Sequence, residues 1–298
     1  MIQLKNKSGD AIPAIGLGTF PFEGRVMADM VKAAVKTGYR LFDTADDYRG
    51  ESGIGIAVSE LCADGFRRED LFLQTKISDN NAHEDEPLKG IYFNPNSKFM
   101  HRHSVDEIVR EKVANSLSEM RTTYIDSLLI HYPFPDYLVD IWKTMIRLKE
   151  DGIVRYIGVS NFHERHIERL IKETGVVPDI NEIYISPIGM KNELVDYCNV
   201  HNILPMSYSP LMDIRLGKIP VDSLSPIMRK YNKTLAQIVL RWNVERGCIP
   251  LPKTKNPRRL AENFGIFDFS LTPEEVEQVS ALNYDNQCLV ESKICPGL

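Results

Sequence analysis

The sequence predicts an α/β fold, a (β/α)8 TIM barrel preceded by a small β-hairpin. Three observations carry that expectation. Short apolar runs alternate with longer stretches of helical spacing about eight times along the chain, the count for a closed parallel barrel. Charged or polar residues stand at the ends of several runs, where parallel α/β proteins keep their chemistry. The chain has 298 residues, a size such barrels reach as a single unit. No linker or low-complexity tract interrupts it, so residues 1–298 read as one domain.

Ile2 to Leu4 and Ala11 to Ile12 flank the polar stretch Asn6 to Asp10, a hairpin pattern with Gly9 in its turn. Ile15 to Thr19 reads as a short strand whose glycines suit close backbone approach. Helical spacing from Ala28 to Lys36 stops at Gly38. Leu41 and Phe42 form a buried strand ending in Asp43, with Tyr48 five positions later and a helix over Ile54 to Leu61. A strand from Leu71 ends at Lys76. Ser104 caps an amphipathic helix from Val105 to Met120. The strand Ile125 to Ile130 ends at His131, and the helix Leu138 to Lys149 is stopped by Asp151 and Gly152. Val154 to Val159 leads into Ser160 and Asn161, and the helix after it ends near Gly175. Ile180 to Ile185 and Ile203 to Ser209 read as strands, with helices over Glu193 to His201 and Leu235 to Glu245. A short strand near Ile249 closes the series, with helices near Arg258 and Pro273. Three stretches break the rhythm: the long polar insertion 77–103, the brief loop 132–137, and the segment 212–233 ahead of its helix.

Hydrophobic residues make up 43% and charged residues 26%, so a large core forms without disulfides or metal. The net charge of −5, with both signs interspersed, argues against nucleic acid or an anionic membrane as partner. Five scattered cysteines without a Cys-x-x-Cys pair read as reduced thiols, and the N-terminus lacks the apolar block of a signal peptide. A cytoplasmic monomer or weak homo-oligomer is expected. His101 with His103, and His163 with His166, have no evident third ligand, so no metal site is expected. Gly53 and Gly55 do not follow a strand as a dinucleotide fingerprint would.

Asp43, Tyr48, Lys76 and His131 are of complementary types. Taken singly, they could be a helix cap, a rim aromatic, a solvated charge and a structural histidine. Together they equip a site to protonate a carbonyl oxygen. An ammonium about 4 Å from a phenolate attracts it by about 4 kcal/mol at an effective dielectric near 20. That is enough to lower the Tyr48 pKa by about two units. Asp43 would keep Lys76 charged, and His131 would orient the carbonyl.

The sequence resembles the aldo-keto reductases. The resemblance rests on Gly16 to Thr19, Asp43 to Ala45 with Tyr48 and Glu51, Lys76, and Leu128 to Pro133. It continues through Gly158 to Phe162, Tyr208 to Leu211, and Leu251 to Thr254 with Arg259, Glu262 and Asn263. It implies reduction of an aldehyde or ketone by a nicotinamide cofactor, with Tyr48 as general acid assisted by Lys76, Asp43 and His131. By the same resemblance, Ser160, Asn161 and residue 182 hold the nicotinamide carboxamide. Tyr208 stacks on the ring, and Ser209 and Leu211 line the pyrophosphate. Lys253, Thr254 and Arg259 take the 2′-phosphate, which favours NADPH over NADH. Glu262 and Asn263 hold the adenine, and Thr19 and Asp43 lie along the cofactor. Phe20, Tyr48, His131 and Tyr132 face the substrate, joined by Tyr92 and Phe93 if the insertion 77–103 walls the pocket.

The chain departs from the family pattern at Glu182, where glutamine is usual, and at Tyr132, where tryptophan is common. An ionised Glu182 accepts from an amide nitrogen but cannot donate to its oxygen. Two other readings stay open: a Schiff-base aldolase with Lys76 as nucleophile, and a cofactor-sensing barrel of low turnover.

Overall fold

The computed structural model describes residues 3–5, 9–78, 104–133 and 137–287. The body of the insertion, with Tyr92 and Phe93, lies outside them. A two-stranded antiparallel hairpin opens the chain, β1 (Gln3–Lys5) and β2 (Ala11–Pro13), pairing Leu4 with Ile12. Eight parallel strands follow in sequence order: β3 (Gly16–Gly18), β4 (Leu41–Asp43), β5 (Phe72–Ile77), β6 (Ile125–Ile130), β7 (Val154–Ser160), β8 (Ile180–Tyr184), β9 (Leu204–Tyr208) and β10 (Ile249–Leu251).

The Gly18 amide donates to the Pro252 carbonyl at 3.2 Å, bringing the two end strands together into a barrel. The glycines of β3 make that approach possible. A Cβ on Gly16 would fall 2.3 Å from Leu41 and 2.5 Å from Leu251.

Helices return the chain between strands, as right-handed crossovers require. They are α1 (Gly24–Thr37), α2 (Glu51–Ala63), α3 (Val105–Glu119), α4 (Leu138–Glu150), α5 (Glu164–Thr174), α6 (Asn192–Val200), α7 (Met212–Arg215), α8 (Val221–Tyr231), α9 (Leu235–Glu245), α10 (Pro257–Phe264) and α11 (Pro273–Ser280). The Ser104 cap of α3 forms with Glu107 as a reciprocal capping box. The segment 212–233, which breaks the rhythm of the sequence, carries two helices. Pro226 inside α8 argues against helix locally, but Leu224 and Ile227 are buried and packing prevails.

Apolar residues fill two regions. One lies between the barrel and its helices and holds Phe42, Leu73, Trp142 and Trp242. The other fills the barrel, with Leu41, Phe72, Leu129, Ile180, Leu204 and Ile249 packed on Ile12 of the hairpin. Most of these are first residues of their strands, so the hairpin plugs the N-terminal mouth and leaves the C-terminal mouth for chemistry. No helix among the described residues is long and apolar enough to cross a membrane.

Candidate active site

Side chains alternate between the faces of a strand. Leu41 points into the barrel, so Asp43 does too. Phe72 points in, so Gln74 and Lys76 follow. The same spacing carries Ile180 to Glu182 and Leu204 through Met206 to Tyr208. A polar layer therefore sits on the apolar plug.

Lys76 is 1% exposed. Its ammonium donates to Asp43 Oδ1 at 2.5 Å and the Thr44 carbonyl at 3.0 Å, and lies 3.4 Å from Glu182 Oε2. Burial works against the charge, but Asp43 and Glu182 outweigh it and hold the lysine above its ordinary value. Gln74 ties the carboxyls together, its Nε2 donating to Asp43 Oδ1 at 2.9 Å and to Glu182 Oε2 at 2.8 Å.

A single 3-10 turn, Asp46–Tyr48, follows β4 and delivers the tyrosine. Asp46 pins it, accepting from the Ser78 amide at 3.0 Å and from Lys112 at 2.8 Å. The Tyr48 hydroxyl lies 3.3 Å from His131 Nε2, and His131 Nδ1 lies 2.6 Å from Ser78 Oγ. Burial, then the Lys76 charge, push His131 well below its ordinary value, so the imidazole is neutral.

The phenol departs from expectation. Burial raises its pKa, and Asp43, Glu182 and Asp47 add to the rise; Lys76 opposes them and loses. The ammonium lies 5.3 Å from the ring centroid, so the attraction is real but smaller than the desolvation of a phenolate. Tyr48 is a fully protonated donor rather than an activated phenol.

Two cavities meet above this layer, sharing Ser209 and Lys253 in their walls. The first, about 240 Å³, is lined by Thr19, Phe20, Asp43, Tyr48, His131, Tyr132, Ser160, Asn161, Glu182 and Tyr208. The Phe20 and Tyr48 ring centroids are 5.0 Å apart, and Tyr132 stacks on His131 at 4.5 Å. Asn161 is fixed: its amide nitrogen donates to the His131 carbonyl at 3.1 Å, and its oxygen accepts from Tyr208 at 2.9 Å. The second cavity, about 490 Å³, is lined by Leu211, Thr254, Arg259, Glu262 and Asn263 among others. It also takes Arg215, a residue sequence reasoning missed. Lys253 is lowered from its ordinary value by burial and by Arg215.

The Aldo/keto reductase family profile matches residues 14–219 and 220–284. The chain belongs to the aldo/keto reductase family. It is 35% identical over 285 residues to glyoxal reductase of Bacillus subtilis (strain 168), covering 95% of this chain and 94% of that protein. It is 34% identical over 282 residues to methylglyoxal reductase DkgA of Escherichia coli (strain K12), covering 94% and 93%. Among solved structures, an aldo/keto reductase from Brucella melitensis superposes with a TM-score of 0.81 at 34% identity, covering 94% of this chain and 98% of that one. A Bombyx mori aldo-keto reductase in complex with NADP gives 0.82 at 30% identity, covering 98% and 95%.

Within this aldo/keto reductase, every candidate residue among the described ones lines one of the two cavities, except Lys76. Lys76 lies sealed behind Asp43 and Tyr48. Gln74 was missed, although its place two residues before Lys76 on one strand puts it on the same face. Asp213 was missed too. This buried carboxylate accepts from Tyr184, from Ser186 at 2.6 Å and from Asn286 at 3.4 Å, and so anchors α7 and with it Arg215. No local signal in the sequence marks it. Among the described residues no cluster of three or more His, Cys, Asp or Glu could hold a metal. Cys62, Cys198 and Cys248 are free thiols.

Proposed function

We propose that this chain, acting as one barrel domain, reduces an aldehyde or ketone to the alcohol with NADPH, Tyr48 being the proton donor. The carrying observation is the protonated phenol at the cavity floor, backed by a buried ammonium and 3.3 Å from a neutral imidazole. Bound NADPH supplies the hydride to the carbonyl carbon. The phenol gives its proton to the carbonyl oxygen, and neutral His131 directs that oxygen toward Tyr48. Lys76 stabilises the phenolate left behind, a charge that the buried site disfavours on its own.

The cleft suits the cofactor. Ser160, Asn161 and Glu182 offer amide-binding groups beside the flat face of Tyr208, while Arg215, Lys253 and Arg259 gather at the far end. Three cations there favour NADPH over NADH, since NADPH adds a 2′-phosphate. A Schiff-base aldolase needs a free amine at Lys76, and the raised lysine opposes that.

Small 2-oxoaldehydes, of the kind named for the two bacterial relatives, are the first substrates to try. We read the enzyme as cytoplasmic, consistent with its free thiols, and as a monomer or weak homo-oligomer. Stopped-flow NADPH oxidation over a panel of aldehydes, ketones and sugars tests the proposal. Turnover of at least one carbonyl class is expected, and NADPH binding without oxidation by any of them would overturn it in favour of a cofactor sensor.

A further inference from the structure

One ammonium faces two buried carboxyls in the polar layer. Lys76 Nζ lies 2.5 Å from Asp43 Oδ1 and 3.4 Å from Glu182 Oε2, and the Gln74 amide nitrogen bridges the same two oxygens at 2.9 and 2.8 Å. Asp43 is 4% exposed, Glu182 2% and Gln74 0%. A single cation compensates a single anion. A second carboxylate at this distance from the first, out of water, has no counter-charge, and like charges so placed cannot both ionise.

We propose that Glu182 is held as the neutral carboxylic acid and presents its proton to the carboxamide oxygen of the nicotinamide, with Gln74 as the positioning residue that fixes the carboxyl pair. This rests on the cofactor reading above. Asp43 keeps the charge because it holds the shorter contact to Lys76. Glu182 Oε2 accepts from Gln74 and faces the Lys76 ammonium, so a proton on Oε1 disturbs neither contact. A neutral carboxylic acid pairs a donor with an acceptor, as a primary amide does. It can therefore receive a carboxamide at both its oxygen and its nitrogen, which a carboxylate cannot.

The surroundings agree. Burial, then the Asp43 charge and a hydrogen bond with the Asp43 side chain, raise Glu182 well above its ordinary value against the pull of Lys76. Other titratable groups around the layer and its cavity are Tyr48, a protonated phenol, His131, a neutral imidazole, Asp47, which faces His131, and Lys253 in the cavity wall. Among the described residues, Lys76 is the one cation among the charges that act on Glu182.

Two measurements decide it. Infrared difference spectra of the Glu51→Gln protein, between neutral and alkaline pH, should show a protonated-carboxyl band that disappears on titration and is absent once Glu182→Gln is added. Fluorescence titration should show NADPH affinity falling at least tenfold as the pH rises through that same titration, with the Glu182→Gln dependence flat by comparison. Gln74→Leu should move the infrared titration, which a merely space-filling role would not. Glu51 is a second raised carboxyl, so the band is read in the Glu51→Gln background, where its absence at neutral pH overturns the inference even if Glu182→Gln does not fold. Equal pH dependence of NADPH affinity in wild type and Glu182→Gln overturns the carboxamide contact. Failure of NADPH to bind at any pH sinks the cofactor reading instead, and the infrared band that remains in Glu51→Gln then judges the protonation.

Discussion

The Lys76 ammonium lies over the Tyr48 ring, 5.3 Å from its centroid, while its hydrogen bonds go to Asp43 and the Thr44 carbonyl. Lysine therefore does not strip the phenol of its proton in advance. In the proposed reaction burial keeps the proton on until a reacting oxygen takes it, and the Lys76 ammonium is then close to the phenolate. Tyr48→Phe should lower kcat by roughly 10²- to 10⁴-fold. NADPH affinity should stay near wild type, because the ring and its contact with Phe20 remain. Stopped-flow turnover and fluorescence titration measure the two separately, and a mutant that turns over normally would remove Tyr48 from the reaction.

Lys76→Met tests the charge balance of the layer. The substitution leaves Asp43 and Glu182 facing one another without a cation. Removing one partner of a buried ion pair costs about 3–5 kcal/mol. Urea unfolding at neutral pH should report a loss of that order, and turnover should fall as well. Unchanged stability would mean that the carboxyls find another counter-charge.

Glu51 gives a stability prediction away from the reaction. It is 3% exposed, and burial raises its pKa to about 8 even though Thr75 donates to it at 2.7 Å. A carboxyl whose folded pKa is raised prefers the folded state in its acid form. That stability is complete below the ordinary value of 4.5 and is lost as pH rises toward about 8. Glu51→Gln still accepts from Thr75 and cannot ionise. Its unfolding free energy should depend less on pH across that window, and it should exceed wild type by a few kcal/mol at the alkaline end. Parallel pH profiles for the two proteins would contradict the raised pKa.

Arg215 and Asp213 form a pair of a different kind, one facing the cofactor cleft and the other holding it there. Arg215→Ala removes one charge-assisted contact to a phosphate, worth about 1.5–3 kcal/mol. NADPH should bind at least about tenfold more weakly, and more so at low salt. Asp213→Ala frees α7 from Tyr184, Ser186 and Asn286, and should weaken NADPH in the same direction with kcat at saturating cofactor preserved. Amide exchange should rise across residues 212–216. Unchanged NADPH affinity in both variants would place the phosphates elsewhere.

Much of the molecule is written locally in the chain. The alternation of apolar runs with helical spacing marks all eight barrel strands, since side-chain period is a property of a few successive residues. Ser104 with Glu107 announces the start of α3 for the same reason. Asp43, Lys76 and His131 can be found because each ends or follows a strand, and Tyr48 because it lies close behind. The helix Val221–Tyr231 could not be found this way. Its proline argues against it, and only the burial of Leu224 and Ile227 explains it.

Protonation was legible only in part: Asp43 keeping Lys76 charged was expected, the unactivated Tyr48 phenol was not. The sequence by itself determined which ionisable groups stand at the barrel mouth. The tertiary structure alone decided the rest: a phenol kept neutral and two carboxyls sharing one cation. Desolvation is a property of the closed barrel. It depends on strands β4, β5 and β8 converging from distant parts of the chain, so no reading of neighbouring residues contains it.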